Sequence, residues 1–404
     1  MNNNPKDIEI SQYDYPLPNE RIAKFPLEQR DQSKLLICNK GHISESIFKN
    51  IPELLDTDTL LVMNNTKVIH ARLFFQKPTG SVVEIFCLEP WQMPIAQSFE
   101  QRQRCTWNCF IGNNKKWKEG PLSRTITIDN TEVILTAHRH EAVGNAWIVE
   151  FEWTGNFSFA EIIEQGGVIP LPPYLHREAV SSDNERYQTV YAEHQGSVAA
   201  PTAGLHFTQH VFDDLKKRGI QTEFITLHVG AGTFKPVNTP TIGEHEMHVE
   251  KIEISIENIE NIYEHFGKPI IPVGTTTVRT LESLYWFGVK LSQNPNLEEM
   301  HVSQWEPYEL ESLNISAKES YQNIINWMQL KKIYLLEGDT QLMIAPGYKY
   351  HIINGIITNF HQPKSTLLLL VSALIGDHWK ECYRYALDHN FRFLSYGDSC
   401  LFIP

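Results

Sequence analysis

A chain of 404 residues exceeds the roughly 250 to 300 at which one hydrophobic core usually stops growing, so two structural units are expected, one inserted in the other. Fractions of 42% hydrophobic and 21% charged residues, with 22 Gly and 22 Pro, exclude disorder as the default. A formal net charge of −13 excludes a protein held on nucleic acid by bulk electrostatics, so any RNA contact must be local.

The longest strongly apolar run, Leu367 to Ile375, is far below the roughly 18 to 20 residues of a bilayer span, and Ser372 interrupts it. The start MNNNPKD carries no export or organelle signal, which makes the cytoplasm the expected compartment. Cys38, Cys87, Cys105, Cys109, Cys382 and Cys400 are scattered and read as free thiols, and C-x-x-x-C at 105–109 lacks a partner pair at zinc-finger spacing. Basic spots at Arg102 and Arg104, Lys115 to Lys118, Lys216 to Arg218, and Lys331 with Lys332 read as solvated faces.

In chain order, Leu35 to Cys38 and Thr59 to Met63 predict buried strands. From residue 72 to 155, short alternating segments such as SVVEIFCLE, RCTWNCFIG and AWIVEFEW predict a small all-β, barrel-like unit. After Ser158 the helical period returns with Phe159, Ile162 and Ile163, and the proline-rich GGVIPLPPYLHR reads as an extended connector draped over a surface. Beyond it, a helix near Gln209 to Arg218, a strand at Thr222 to Leu227, a helix near Ile256 to Phe266, a strand at Pro269 to Val273 and a helix from about Thr276 predict a largely parallel sheet. Residues 286 to 310 read as polar and irregular, and Ser316 with Glu319 as a capping box leading Tyr321, Ile324, Ile325 and Met328. The expected fold is a mixed α/β main domain built from both ends of the chain (1–71 and 156–404), with the β-barrel-like domain (72–155) inserted.

Five stretches can carry chemistry. GSVAAPTAGLHFT (Gly196 to Thr208) is built of small residues, Thr202 and Gly204 among them, that let backbone approach a ligand before His206; alternatively it is a tight loop with Thr208 as N-cap. TLHVGAGTFKPV (Thr226 to Val237) carries His228, Gly230, Gly232 and Thr233 in a strand opening into G-x-G, but Lys235 stands where a dinucleotide fingerprint needs a third Gly, leaving a nucleoside pocket floor. GEHEMHVEKIEI places His245, His248 and Glu250 close together, which suits a metal, acid–base chemistry or structural hydrogen bonding. IIPVGTTTVRTLESL breaks from a buried strand at Gly274 into Thr275 and Thr276, which can cap a helix whose N-terminus, near Arg279, attracts a carboxylate or phosphate. Asn359, His361, Ser365 and Thr366 cluster before a very apolar helix, and Tyr396, Gly397 and Asp398 punctuate a buried strand pair in Phe391 to Phe402.

Together with YDYPLPNERIAKFPLEQRDQSKLL (Tyr13 to Leu36), LLVMNNTKVIHARLF (Leu60 to Phe74) and ERYQTVYA (Glu185 to Ala192), these blocks resemble the queuosine ribosyltransferase-isomerase family over most of the chain. The resemblance is looser over 72–155, the family more often has Asp, Arg and Pro where Asn65, Lys67 and His70 stand, and 286–340 is longer than in short members. It implies a metal-free reaction with S-adenosylmethionine as co-substrate and, as partner, a tRNA carrying 7-aminomethyl-7-deazaguanine at the wobble position. The ribosyl group is transferred and isomerised to epoxyqueuosine, and adenine and methionine are released. The sulfonium acidifies its C5′ protons, so a positioned base can remove one and the carbanion can expel adenine. His206, His228, His245, His248, His361 and Asp398 form the expected proton-transfer pool, with Thr202, Gly204, Gly230, Gly232, Thr233, Gly274, Thr275, Thr276 and Arg279 around the co-substrate, in a monomer. A methyltransferase using the same co-substrate and a nonenzymatic RNA-binding protein are the alternatives.

Overall fold

The computed structural model describes residues 4–230 and 237–404. Its strands are β1 (Lys34–Asn39), β2 (His42–Ile47), β3 (Leu60–Asn64), β4 (Thr66–Val68), β5 (Arg72–Gln76), β6 (Val82–Pro90), β7 (Arg104–Gly112), β8 (Leu122–Ile128), β9 (Thr131–Val143) and β10 (Ala146–Trp153). There follow β11 (Gly167–Val168), β12 (His194–Ser197), β13 (Gln221–His228), β14 (Glu250–Ser255), β15 (Ile270–Val273), β16 (Met300–Val302), β17 (Leu335–Thr340), β18 (Ile356–Asn359) and β19 (Ser399–Ile403).

Ten strands make one sheet in the order β16-β17-β14-β13-β3-β15-β18-β19-β1-β2. β1 lies parallel to β19, with Leu36 opposite Cys400, so the two ends of the chain join in one α/β body. Each residue of β3, β15 and β18 is buried, which is why these runs are apolar without alternation. The centre, β13-β3-β15-β18, is parallel, but β14, β17 and β19 pair antiparallel, so the sheet is mixed rather than largely parallel. Among the described residues, β13 and β14 are joined without an α-helix, and lacking a crossover the chain returns antiparallel.

Seven strands form the second sheet in the order β11-β5-β6-β7-β10-β9-β8. It curls into a half-barrel whose ends meet: Arg124 Nη1 on β8 donates to Phe74 O on β5 at 2.8 Å. Cys105, Trp107 and Cys109 alternate inward on β7. The helix Phe159–Gly166, held by a complete capping box between Ser158 and Glu161, plugs the interior with Phe159, whose ring lies 5.5 Å from Trp107 and 5.6 Å from Phe151 and Trp153.

Four local expectations change. The helix from Thr275 runs to Gln293 because Trp286, Phe287, Val289 and Leu291 are core residues, so 286–310 is not irregular and also holds β16 and a helix at Glu306–Leu310. The helix Ala317–Lys331 is capped by Ser316 accepting from Glu319 N, half of the expected box. Only β19 forms in Phe391 to Phe402, since Asp398 ties the preceding residues into a loop by accepting from Arg392 N at 2.8 Å. The proline-rich connector is buried through Ile169, Leu171 and Leu175, which pack with Tyr187, Leu205 and Tyr396.

Candidate active site

The parallel strands β13, β3, β15 and β18 all end on the same edge, and a cleft opens there. β15 ends at Val273, and Gly274, at φ +93°, turns the chain into the helix Thr275–Gln293; a side chain would strain that backbone. Its N-cap is Gly274, and among the described residues no side chain caps it, contrary to the expectation that its threonines would. Thr277 Oγ1 donates to Val273 O at 2.8 Å and Thr280 Oγ1 to Thr276 O at 3.1 Å, so these hydroxyls satisfy carbonyls and leave the first N–H groups facing the cleft edge.

Arg279 lies on the first turns of this helix and lines the cleft with Glu250, which opens β14. Its Nη1 donates to Glu250 Oε2 and its Nε to Leu342 O at 3.1 Å, and the two side chains are 6% and 2% exposed. Arg279 Nη2 is buried with no hydrogen-bond partner among the described residues.

Asn359 closes β18. Its Nδ2 donates to His206 Nε2 at 3.1 Å and to Leu394 O at 3.3 Å, while its Oδ1 is buried with no partner among the described residues. Ser33 Oγ lies 2.8 Å from His206 Nδ1. Burial pushes the His206 pKa down to about 3, so the ring is neutral; with Nε2 accepting, Nδ1 carries the proton toward Ser33. His361 is likewise pushed down to about 3 by burial and pairs through Nε2 with Thr358 Oγ1 at 3.0 Å. His245 and His248 lie on irregular backbone between a 3-10 turn and β14. Two glutamines hold that segment: Gln304 Nε2 donates to His245 O at 2.7 Å and Gln341 Nε2 to Met247 O at 3.0 Å. Burial, then the neighbouring His248, lowers the His245 pKa.

Of the residues singled out from sequence, Thr202, Gly274, Thr275, Thr276, Arg279, His245, His248 and His361 share this cleft. His206 stands directly behind it through Asn359. His228 and Gly230 line a second cavity, between the 88–95 segment and the β14 side of the sheet, where His228 pairs with Thr66 Oγ1 at 3.0 Å and Glu253 Oε1 at 3.5 Å. Gly204 is buried against Tyr191, whose hydroxyl would lie 2.0 Å from an added Cβ. Asp398 accepts from Lys34 N at 3.1 Å and from Arg392 Nη2 at 3.0 Å, away from the cleft. Gly232 and Thr233 lie outside the described residues. Asn65 Oδ1 accepts from Thr226 Oγ1 at 2.8 Å.

Sequence reading passed over Ser33 and the wall residues Tyr174 and Ser395, which bond to each other at 2.6 Å. Ser33 carries no local signal, being 173 positions from His206. Asn359 carried one, a polar side chain at the carboxyl end of a buried strand.

A cleft at the carboxyl edge of parallel strands, walled by buried polar groups with unfilled hydrogen-bonding capacity, defines an α/β enzyme. The sequence matches the family described as queuosine biosynthesis protein over residues 10–402, and the chain belongs to that family. An S-adenosylmethionine:tRNA ribosyltransferase-isomerase of Halothermothrix orenii is 36% identical over 402 residues, covering 98% of this chain and 100% of its own. One of the same name from Nostoc sp. is 36% identical over 98% of this chain and 92% of its own. The crystal structure of an S-adenosylmethionine tRNA ribosyltransferase from Thermotoga maritima is 28% identical, covering 96% of this chain and 99% of its own, with a TM-score of 0.46.

Proposed function

We propose that this enzyme transfers and isomerises the ribosyl group of S-adenosylmethionine onto 7-aminomethyl-7-deazaguanine at the tRNA wobble position, forming epoxyqueuosine and releasing adenine and methionine. Relatives named for this activity match nearly the whole chain. The observation that carries the reading at the site is convergence: residues from 202, 245–250, 274–279 and 359–361 line one cleft although the sequence separates them widely.

The unpartnered Asn359 Oδ1 suits a hydroxyl of the co-substrate, and His206, locked neutral between Ser33 and Asn359, is a positioning residue that fixes the orientation of that amide. With its pKa near 3, His361 is a hydrogen-bonding wall group at neutral pH. Removal of the C5′ proton, acidified by the adjacent sulfonium, then falls to His245 or His248; the lowered pKa of His245 leaves it neutral and able to accept a proton. We assign His228, Gly230, Gly204 and Asp398 to support of the surrounding fold, the enzyme to a cytoplasmic monomer, and residues 72–155 to an inserted domain.

Incubation with S-adenosylmethionine and tRNA bearing the 7-aminomethyl precursor, followed by nucleoside mass analysis, tests the reaction. Free adenine with epoxyqueuosine supports it, whereas S-adenosylhomocysteine would establish methyl transfer instead.

A further inference from the structure

The cleft wall holds a feature that nucleoside binding alone does not require. Arg279 and Glu250 form an ion pair that is almost wholly buried, and yet one guanidinium nitrogen has no partner among the described residues. Isolating two charges from water is expensive, and an unmet buried donor adds to that cost. A ligand acceptor placed against that nitrogen would complete the pair. Beside it stands the amino end of the helix Thr275–Gln293, 19 residues long, with no side-chain cap among the described residues.

The signs identify the ligand chemistry. A phosphate placed on Arg279 would also face the Glu250 carboxylate, which repels it. An α-amino-acid group carries a carboxylate and an ammonium one carbon apart, so one end meets the free guanidinium nitrogen and the helix N–H groups while the other meets Glu250. We infer that the Arg279–Glu250 pair binds the α-amino-acid end of S-adenosylmethionine, the guanidinium and the helix amino end taking the carboxylate and Glu250 the ammonium. This rests on the reading above that S-adenosylmethionine is the co-substrate. It sets the direction of the molecule in the cleft: the methionyl group lies at Arg279 and Glu250 and the sugar toward Asn359.

Pairing ligand deletions with protein substitutions tests it. Binding of S-adenosylmethionine, its decarboxylated form and its deaminated form to the wild-type protein is measured by calorimetry, and KM is measured from adenine release with precursor tRNA. Each deletion should weaken binding and raise KM roughly 10- to 100-fold, the worth of one charge-assisted contact. Arg279→Lys, which keeps a cation against Glu250 and so protects the fold, should weaken S-adenosylmethionine but not its decarboxylated form. Glu250→Gln should weaken S-adenosylmethionine but not its deaminated form. Equal binding of all three ligands to wild type, or equal losses for intact and truncated ligands in either variant, overturns the inference even if adenine is released. Carboxylate-dependent binding without adenine release upholds the inference and overturns the catalytic reading alone.

Discussion

Asn359 Nδ2 donates to His206 Nε2 at 3.1 Å, and this one bond decides which way the Asn359 amide points. Leu394 O accepts from the same nitrogen, so both fixed partners are acceptors and the amide oxygen is forced to the other side, where it has no partner among the described residues. Asn359→Asp cannot donate to either acceptor and places a charge in a buried site, so thermal stability and adenine release should both fall, the latter by about 10²-fold or more. His206→Phe should lose stability by about 1 to 3 kcal/mol and reduce kcat/KM without removing a group that touches the substrate. A kcat/KM equal to wild type in His206→Phe would show that the amide does not need that partner.

Acid should unfold the protein earlier than its carboxylates alone predict. His206 and His361 have folded pKa values pushed down to about 3 by burial, below the ordinary 6.5. A depressed folded pKa means the stability they contribute is present above 6.5 and is lost as pH falls from 6.5 toward 3, by about 1.4 kcal/mol per pH unit for each ring. Denaturant titrations at pH 7 and pH 5 should show this slope, and it should be shallower in His361→Gln. An unchanged slope in that variant would mean that His361 titrates alike in the folded and unfolded chains.

Glu282 works in the opposite direction. Burial in the middle of the helix Thr275–Gln293 pushes its pKa up to about 7, although Tyr348 OH donates to it at 2.9 Å and Ile352 N at 3.0 Å. A raised folded pKa means its contribution is complete below about 4.5 and is lost as pH rises through about 7. The melting temperature of Glu282→Gln minus that of wild type should therefore increase from pH 5 to pH 8. No increase over that range would mean that these donors hold the carboxylate ionised.

Gly204 answers to packing. An added Cβ would lie 2.0 Å from the Tyr191 hydroxyl and 3.0 Å from its ring carbon, so Gly204→Ala should destabilise by about 1 to 3 kcal/mol. The Tyr191 hydroxyl is buried without a partner among the described residues, so Tyr191→Phe should leave stability intact or raise it, and should recover part of the Gly204→Ala loss. Additive melting-temperature changes in the double variant would refute this coupling.

Local regularities in the amino-acid sequence were enough for the existence and type of most elements. Continuous apolar runs mark β3, β15 and β18, alternation marks the half-barrel strands, and Thr208 caps its helix as its side-chain type demands. Five motif blocks were also legible, because small residues, glycines and histidines at strand ends are unusual in order and composition. What the chain could not reveal locally was pairing. Whether β14 returns antiparallel, whether Ser33 meets His206, and whether His245 or His228 shares the cleft with Arg279 all depend on contacts between residues far apart in sequence. A hydrogen-bonding side chain looks the same in sequence whether its partner is found or missing. That Arg279 Nη2 and Asn359 Oδ1 are buried with no partner among the described residues comes into view only once the tertiary fold has placed the groups around them.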